Sequence, residues 1–439
     1  MNPLQSYRKV YSAILLAVVL VVVCTAARAA IDPPFQYNIL DINWTAPGSF
    51  PAVTFSVTDP NTNMPYDIKT NPAFTTSGVS SLNLRIGWST TDYTNTLDYN
   101  TTTGYTTHDP GDACKKLLPL GNGAAYPIPI NALAPSVISH GDGTFTATSP
   151  CPLPLDATGT GVVGMEGHPA AKDPATGLYT MRVAVTSVVK YFSIADTPPI
   201  PRRTVVDINK CLKCHGVQNP DGTLVAPVFT FHGDNRTKEP QLCVICHNPN
   251  QTDIPFRLPS DGPETPVDFK RMVHAIHAGG FRHTSFIVIG FNHSINDYSG
   301  VRFPAKLRNC VNCHLDRDTT RPLGTFELPL GSNVLATTVD TRSFKTDPVT
   351  GIVTKSVDTD PSNDLNITPT AAVCSACHDS NEVKRHMIKT GGASFSVLQE
   401  DIDSGRVKER CVNCHGPGKD KDVRKVHEIS RKTGGSGDD

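Results

Sequence analysis

The sequence predicts two unlike halves: an all-β sandwich or barrel first, then a region of short helices with little regular secondary structure. Three observations carry this reading. Segments rich in Val, Thr, Phe and Tyr, parted by Gly, Pro, Asn and Asp clusters, crowd residues 30–200. A proline-rich stretch, ADTPPIPRR at 195–203, follows them as a linker. Beyond it long Val/Ile/Leu runs become rare, and one short cysteine pattern recurs five times.

The expected strands are AVTFSVTD from 52, LNLRIGWST from 82, GTFTATS from 143 and GLYTMRVAVTSVVKYFS from 177. Each alternates apolar with polar residues or is rich in β-formers, and no convincing helical period competes. The polar, Thr-rich run at 89–109 reads as a long surface loop, and His108, His140 and His168 read as surface histidines in Gly/Asp-rich loops. Residues 1–29 read as an export signal. Arg8 and Lys9 precede an apolar run from Ala13 to Cys24, and Ala27 and Ala29 make a small-x-small cleavage site. That run of 12 residues is short for a membrane span. An uncleaved anchor and a lipid-bearing Cys24 are the alternatives, although Val23 stands where a lipoprotein site wants a small residue. Residues 431–439 read as a disordered tail.

Charge is balanced, with 40 Lys+Arg against 41 Asp+Glu, so no basic field points to nucleic acid. Hydrophobic residues make only 38% of the chain, while 33 glycines and 36 prolines exceed ordinary usage. Something besides an aliphatic core must organise part of the protein.

The thirteen cysteines indicate what that is. Cys24 leaves with the signal. Cys114 and Cys151 lie outside any motif, and in an exported chain such a pair most simply forms one disulfide. The other ten sit in CLKCH, CVICH, CVNCH, CSACH and CVNCH: Cys211/Cys214/His215, Cys243/Cys246/His247, Cys310/Cys313/His314, Cys374/Cys377/His378 and Cys411/Cys414/His415. C-x-x-C-H is the attachment signature of c-type haem. Two thiols three apart reach the two vinyl groups of one porphyrin, and the adjacent histidine becomes the proximal iron ligand. A lone C-x-x-C also suits a zinc half-site or a redox dithiol. Neither requires a histidine after every second cysteine, and composition alone predicts about 0.01 such motifs. The expectation is five covalently attached haem c groups in residues 201–430, their flat apolar faces standing in for a core.

The sixth ligand of each iron then decides the chemistry. Only Met272 and Met387 are available as methionines in this region, too few for five irons. Histidines outside the motifs are His232, His274, His277, His283, His293, His386 and His427, enough for bis-histidine ligation throughout. In VDFKRMVHAIHAGG the pattern of Phe269, Met272, Val273 and Ile276 predicts a short helix, capped by Thr265 with Pro266 at its first position and ended by Gly279-Gly280. His274 and His277 then project one turn apart and can serve two neighbouring haems. His232, His386 and His427 complete the expected distal set, with His283 and His293 as spares. Which distal histidine serves which haem cannot be read from spacing.

The strings HGDNRTKEPQLCVICHNPN, DFKRMVHAIHAGG, FPAKLRNCVNCH, CSACHDSNEVKRHM and CVNCHGPGKDKDV resemble the OmcA/MtrC-type outer-membrane multihaem cytochromes over residues 205–430. The resemblance implies a split-barrel β domain followed by a pentahaem domain, half of the family's usual decahaem β–pentahaem–β–pentahaem design. It also implies electron transfer out of the cell, at the outer-membrane surface or outside it, with a periplasmic site as the alternative. The implied partners are other redox cytochromes, a porin–cytochrome complex, and metal oxides or flavin shuttles as acceptors. Self-association through terminal haems would fit the same design. The reading is therefore an electron-transfer protein without turnover of its own. The alternative is a pentahaem reductase of a small nitrogen or sulfur oxyanion with one open haem. The absence of a C-x-x-C-K motif counts against that alternative.

Overall fold

A computed structural model describes residues 35–88, 127–154, 157–218, 224–226, 229–315, 334–356, 358 and 361–429. The export segment with Cys24, the stretch 89–109 with His108, Cys114 and the tail from 431 lie outside the described residues.

Two antiparallel sheets form the N-terminal half. One runs in the order β1 (Gln36–Asn43), β2 (Ala52–Thr58), β6 (Thr144–Thr148), β5 (Ile138–Ser139). The other runs β10 (Val188–Ser193), β7 (Thr160–His168), β3 (Ser81–Trp88), β4 (Ile128–Asn131). A small hairpin, β8 (Ala170–Lys172) with β9 (Tyr179–Arg182), and a turn of helix, α1 (Pro72–Thr75), complete it. Along β3, Leu82, Leu84 and Ile86 are buried while Asn83 and Arg85 between them are only partly so. This is the period of two that faces one side of a strand to a core. The inner faces of both sheets share that core, Val53, Phe55 and Phe145 meeting Leu84, Ile86, Val163 and Met165. The sheets approach each other along β1–β10 and β4–β6, and Lys190 Nζ donates across the first seam to the Leu40 carbonyl. The expected all-β sandwich with split-barrel character is the observed fold.

Among the strands that the alternation pattern missed, such as β1 and β4, the most consequential is β7, TGVVGMEGH. Every residue of it is buried, so no polar face betrays it. Val163 and Met165 enter the sandwich core, whereas Val162 packs on the opposite side against Leu242, Val244 and Ile245. Gly164 makes that approach possible: a Cβ there would stand 2.3 Å from Leu242 Cδ1. His168 ends the strand at 3% exposure. It is not the surface histidine expected, because β7 is covered on both faces. His140 is exposed and shares a hydrogen bond of 2.9 Å with Thr146.

The C-terminal half consists of short pieces: α2 (Ile208–His215), α3 (Pro240–Cys246), α4 (Phe269–His277), α5 (Pro369–Cys374), α6 (Asn381–Lys389), α7 (Gln399–Asp403), α8 (Val412–His415) and α9 (Val423–Val426), with two- and three-stranded ribbons between them. Its cores are small. One gathers Ala275, Phe286 and Ala376, another Ile367, Ala371, Ala372 and Met387. Among the described residues no helix is long and apolar enough to cross a membrane.

Leu242 joins the two halves, on α3 at 1% exposure against Val162. Leu242→Ala is expected to cost about 2–5 kcal/mol, the range for deleting a buried leucine side chain. A lowered denaturant midpoint, followed by far-UV circular dichroism, checks this.

Candidate functional site

Each C-x-x-C-H motif is one turn of helix. The backbone N–H of the motif histidine donates to the carbonyl of the first cysteine in Cys243–His247 (2.8 Å), Cys310–His314 (3.0 Å), Cys374–His378 (2.9 Å) and Cys411–His415 (2.8 Å). The first motif lies inside α2. Residues i, i+3 and i+4 share a helical face, so both thiols and the imidazole leave the backbone together. All ten motif cysteines are free. Burial pushes the thiols of Cys243 and Cys374 up to about 12 and those of Cys211 and Cys377 up to about 11. Among the described residues, no three His, Cys, Asp or Glu side chains converge as a metal cage.

Each motif histidine faces one of the five histidines singled out elsewhere. Ring centres are 5.9 Å apart for His215–His277, 6.0 Å for His247–His232 and 5.9 Å for His314–His274. They are 5.9 Å apart for His378–His427 and 6.2 Å for His415–His386. Metal–imidazole bonds of roughly 2 Å on each side, with roughly 1 Å more from each nitrogen to its ring centre, give a span of about 6 Å. The gaps therefore fit one metal between two imidazoles. His283 and His293 stand outside these pairs. His293 Nε2 meets Asp261 Oδ2 at 2.9 Å, and the His283 backbone N–H donates to Asp379.

The Nδ1 atoms are turned inward. His274 bonds the Lys270 carbonyl (2.6 Å), His277 that of Val273 (2.8 Å), His427 that of Val423 (2.8 Å), His247 that of Val267 (2.9 Å) and His415 that of Lys421 (3.0 Å). A carbonyl can only accept, so the proton sits on Nδ1 and Nε2 keeps its lone pair for a metal. Burial pushes His232 and His314 down to about 3, and holds His215, His247, His274 and His378 below the ordinary imidazole range. Neutral rings are the form that ligates.

Helix α4 begins later than the sequence predicts. Asp268, not Thr265, is the cap, accepting from the Lys270 N–H at 3.3 Å. Thr265 and Pro266 instead pair with the preceding loop: Thr265 N–H donates to Asp253 Oδ1 (2.8 Å), and Thr252 bridges Pro266. Asp253 is the hub of that loop. It forms a buried ion pair with Arg257 at 2.6 Å and accepts from the Ile289 N–H at 2.9 Å. The helix presents His277 to His215 and His274 to His314, so one short helix faces two motifs. Gly279 ends it where a Cβ would stand 1.9 Å from the Tyr298 carbonyl oxygen. His232 reaches His247 from a left-handed backbone (φ 56°), the first of three successive residues with positive φ. His386 lies on α6, and His427 closes α9.

Cys151 is disulfide-bonded; Cys114, its expected partner, lies outside the described residues. Sequence reading found none of Asp253, Arg257 and Glu264, which hold the loop before α4, because their partners are distant in the chain.

A β sandwich followed by helical turns that each present two thiols and an imidazole is the construction of a c-type cytochrome. The comparisons define it further. The family described as "Outer membrane cytochrome MtrC/MtrF-like, domains II/IV" matches residues 203–428, and the chain belongs to that family. Its members bind haem c covalently and carry electrons at the outer membrane. Among solved structures, MtrC from Shewanella baltica OS185 shares the fold, with a TM-score of 0.50 and 15% identity over 89% of this chain. The match covers 53% of that protein, so this chain spans about half its length. No curated protein matches significantly.

Glu264 supplies a check on the loop that feeds α4. Burial drives its carboxyl up to about 7, although Thr252 Oγ1 and Thr341 Oγ1, both at 2.7 Å, donate to it. The unfolded chain ionises first, near 4.5, so the fold should lose stability as pH rises from about 4.5 to about 7 and then level off. The loss should be on the order of 3 kcal/mol. Glu264→Gln should flatten that segment of a denaturation-versus-pH curve.

Proposed function

We propose that this chain is a pentahaem c-type cytochrome domain with an attached β domain, dividing near residues 200 and 201, whose function is electron transfer without turnover of a substrate. The observation that carries the reading is the set of five imidazole pairs, each joining a motif histidine to a second histidine across about 6 Å. In this reading His215, His247, His314, His378 and His415 are the proximal ligands. His277, His232, His274, His427 and His386 are, in the same order, the distal ones. Cys211, Cys214, Cys243, Cys246, Cys310, Cys313, Cys374, Cys377, Cys411 and Cys414 hold the thioether bonds. When bound, each haem c supplies a one-electron iron couple.

The residues of the chain order these sites into a file. The Cys374 thiol is an electrostatic neighbour of Cys411, Cys377 of Cys310, and Cys313 of Cys214. Cys377 Sγ also lies 4.0 Å from the His274 carbonyl oxygen. Arg308, beside the third motif, is ion-paired with Glu428, next to His427. The sequence of sites is then fifth, fourth, third, first. The second meets the start of α4, where the Phe269 N–H donates to the His247 carbonyl at 2.9 Å. Its other side faces the β domain. A file of closely spaced sites with every sixth position filled suits passage of electrons between ends. It leaves no position for an oxyanion.

The family supports a location at the outer-membrane surface or outside the cell. Exchange with partner cytochromes of a porin complex, and delivery to metal oxides or flavin shuttles, belong to the same reading. Cys114–Cys151 is the proposed disulfide.

An intact mass alongside an EPR spectrum of the oxidised protein tests the site assignment. Five covalent haems, all low-spin, are expected. A high-spin signal of about one haem equivalent in the unmodified protein would return the oxyanion-reductase reading. His277→Ala should convert about one haem equivalent to high-spin and leave the other four unchanged.

A further inference from the structure

The second motif is built across the boundary between the two halves. Its helix α3 lies on the outer face of β7 through Leu242 and Ile245 against Val162 and Gly164. The segment that brings in His232 is stitched to the same strand. The Gly167 N–H donates to the Asn235 carbonyl at 2.8 Å, and Asn235 Nδ2 donates to the His232 carbonyl at 2.9 Å. Ser187 and Thr237 exchange hydrogen bonds at 2.9 and 3.2 Å.

At the centre of this seam is a charged triad. Glu166, on β7, is 1% exposed. Its Oε1 accepts from Arg85 Nε on β3 at 2.8 Å and from Arg236 Nη2 at 3.2 Å; its Oε2 accepts from Arg236 Nε at 2.5 Å. Burial pushes the Glu166 carboxyl up, but the Arg236 and Arg85 guanidiniums outweigh it and hold the carboxylate ionised. The triad is built into the same seam as the second motif: Arg236 follows Asn235, whose side chain holds the His232 carbonyl, and Glu166 lies two residues along β7 from Gly164, against which Leu242 and Ile245 of α3 pack. The other carboxylates in reach come from the C-terminal half itself. Asp268 is paired with Lys270, and Glu239 caps α3. Two of the three triad charges therefore belong to the β domain. They lie where water is excluded on the Glu166 side.

We infer that Arg85 and Glu166 of the β domain, with Arg236, set the reduction potential of the haem held by Cys243, Cys246, His247 and His232. This rests on the pentahaem reading above. Oxidation of an iron adds one positive charge to its site, so a nearby guanidinium opposes oxidation and raises the potential, while a carboxylate lowers it. The β domain is then a tuning element for the second site and not only a support. Arg85, Glu166 and Arg236 act through their charge, and none of them ligates.

The test uses the full chain and EPR-monitored redox titration. The signal lost in His232→Ala identifies the second haem. Arg85→Gln should lower that haem's potential, changing its oxidised-to-reduced ratio at fixed applied potential by up to tenfold, about 59 mV for a one-electron couple. Glu166→Gln should move it in the opposite direction, and Arg85→Lys should leave it near the parent value. Opposite shifts confined to that signal support the inference, because a loosened fold would not reverse sign with the sign of the deleted charge. No shift in either variant, or shifts of the same sign, with five low-spin haems retained, would overturn it. Should Arg85→Gln not fold, Glu166→Gln decides alone: a raised potential supports the inference, and an unchanged or lowered one overturns it. A parent protein with fewer than five haems by mass would instead overturn the pentahaem reading.

Discussion

One hydrogen-bonded turn underlies the C-terminal half. Where the N–H of a motif histidine closes onto the carbonyl of the first cysteine, two thiols and one imidazole are fixed on one face within five residues. Five such turns, each opposed by a second imidazole, leave little for extended helices or sheets to do. Among the described residues the longest helices there have nine residues, and the apolar clusters are small. Everything between the turns can be loop, provided that it delivers the opposing histidine to the right place.

That delivery is achieved by different local means. Helix α4 supplies two imidazoles from consecutive turns, with its start fixed by Asp268 and the buried Asp253–Arg257 pair. His386 and His427 come from short helices just downstream of a motif. His232 comes from a left-handed turn tied to the β domain. The five pairs nevertheless share nearly one separation, which is what a common metal-centred geometry requires. In each pair whose Nδ1 bond is identified above, a main-chain carbonyl holds the ring, so orientation does not depend on a second side chain.

The β domain is joined to this arrangement through both faces of one strand. Alternate residues of β7 fill the sandwich core and the seam with α3, and Gly164 admits the helix while Glu166 gathers two arginines. A strand buried on both sides carries no alternation of polarity, which is why pattern reading passed over it. The same covering places His168 in the interior, where composition suggested a loop. The start of α4 departs from the sequence pattern for a related reason. Thr265-Pro266 has the form of a helix entrance, but its backbone is committed to a bridge with Thr252, so the cap falls to Asp268.

The sequence by itself determined the sandwich class of the first half, the five turns that each bear two thiols and an imidazole, and the set of histidines available to oppose them. Those features are local, because a period of two or a spacing of three and four residues fixes which side chains share a face. Only the tertiary structure decided which histidines face each other, the order in which the motifs adjoin, and the meeting of Arg85, Glu166 and Arg236. His277 pairs with His215 across 62 positions and Arg85 with Glu166 across 81, and nothing in the intervening residues encodes those encounters. They follow from how loops and small cores pack as a whole, which depends on all the contacts at once.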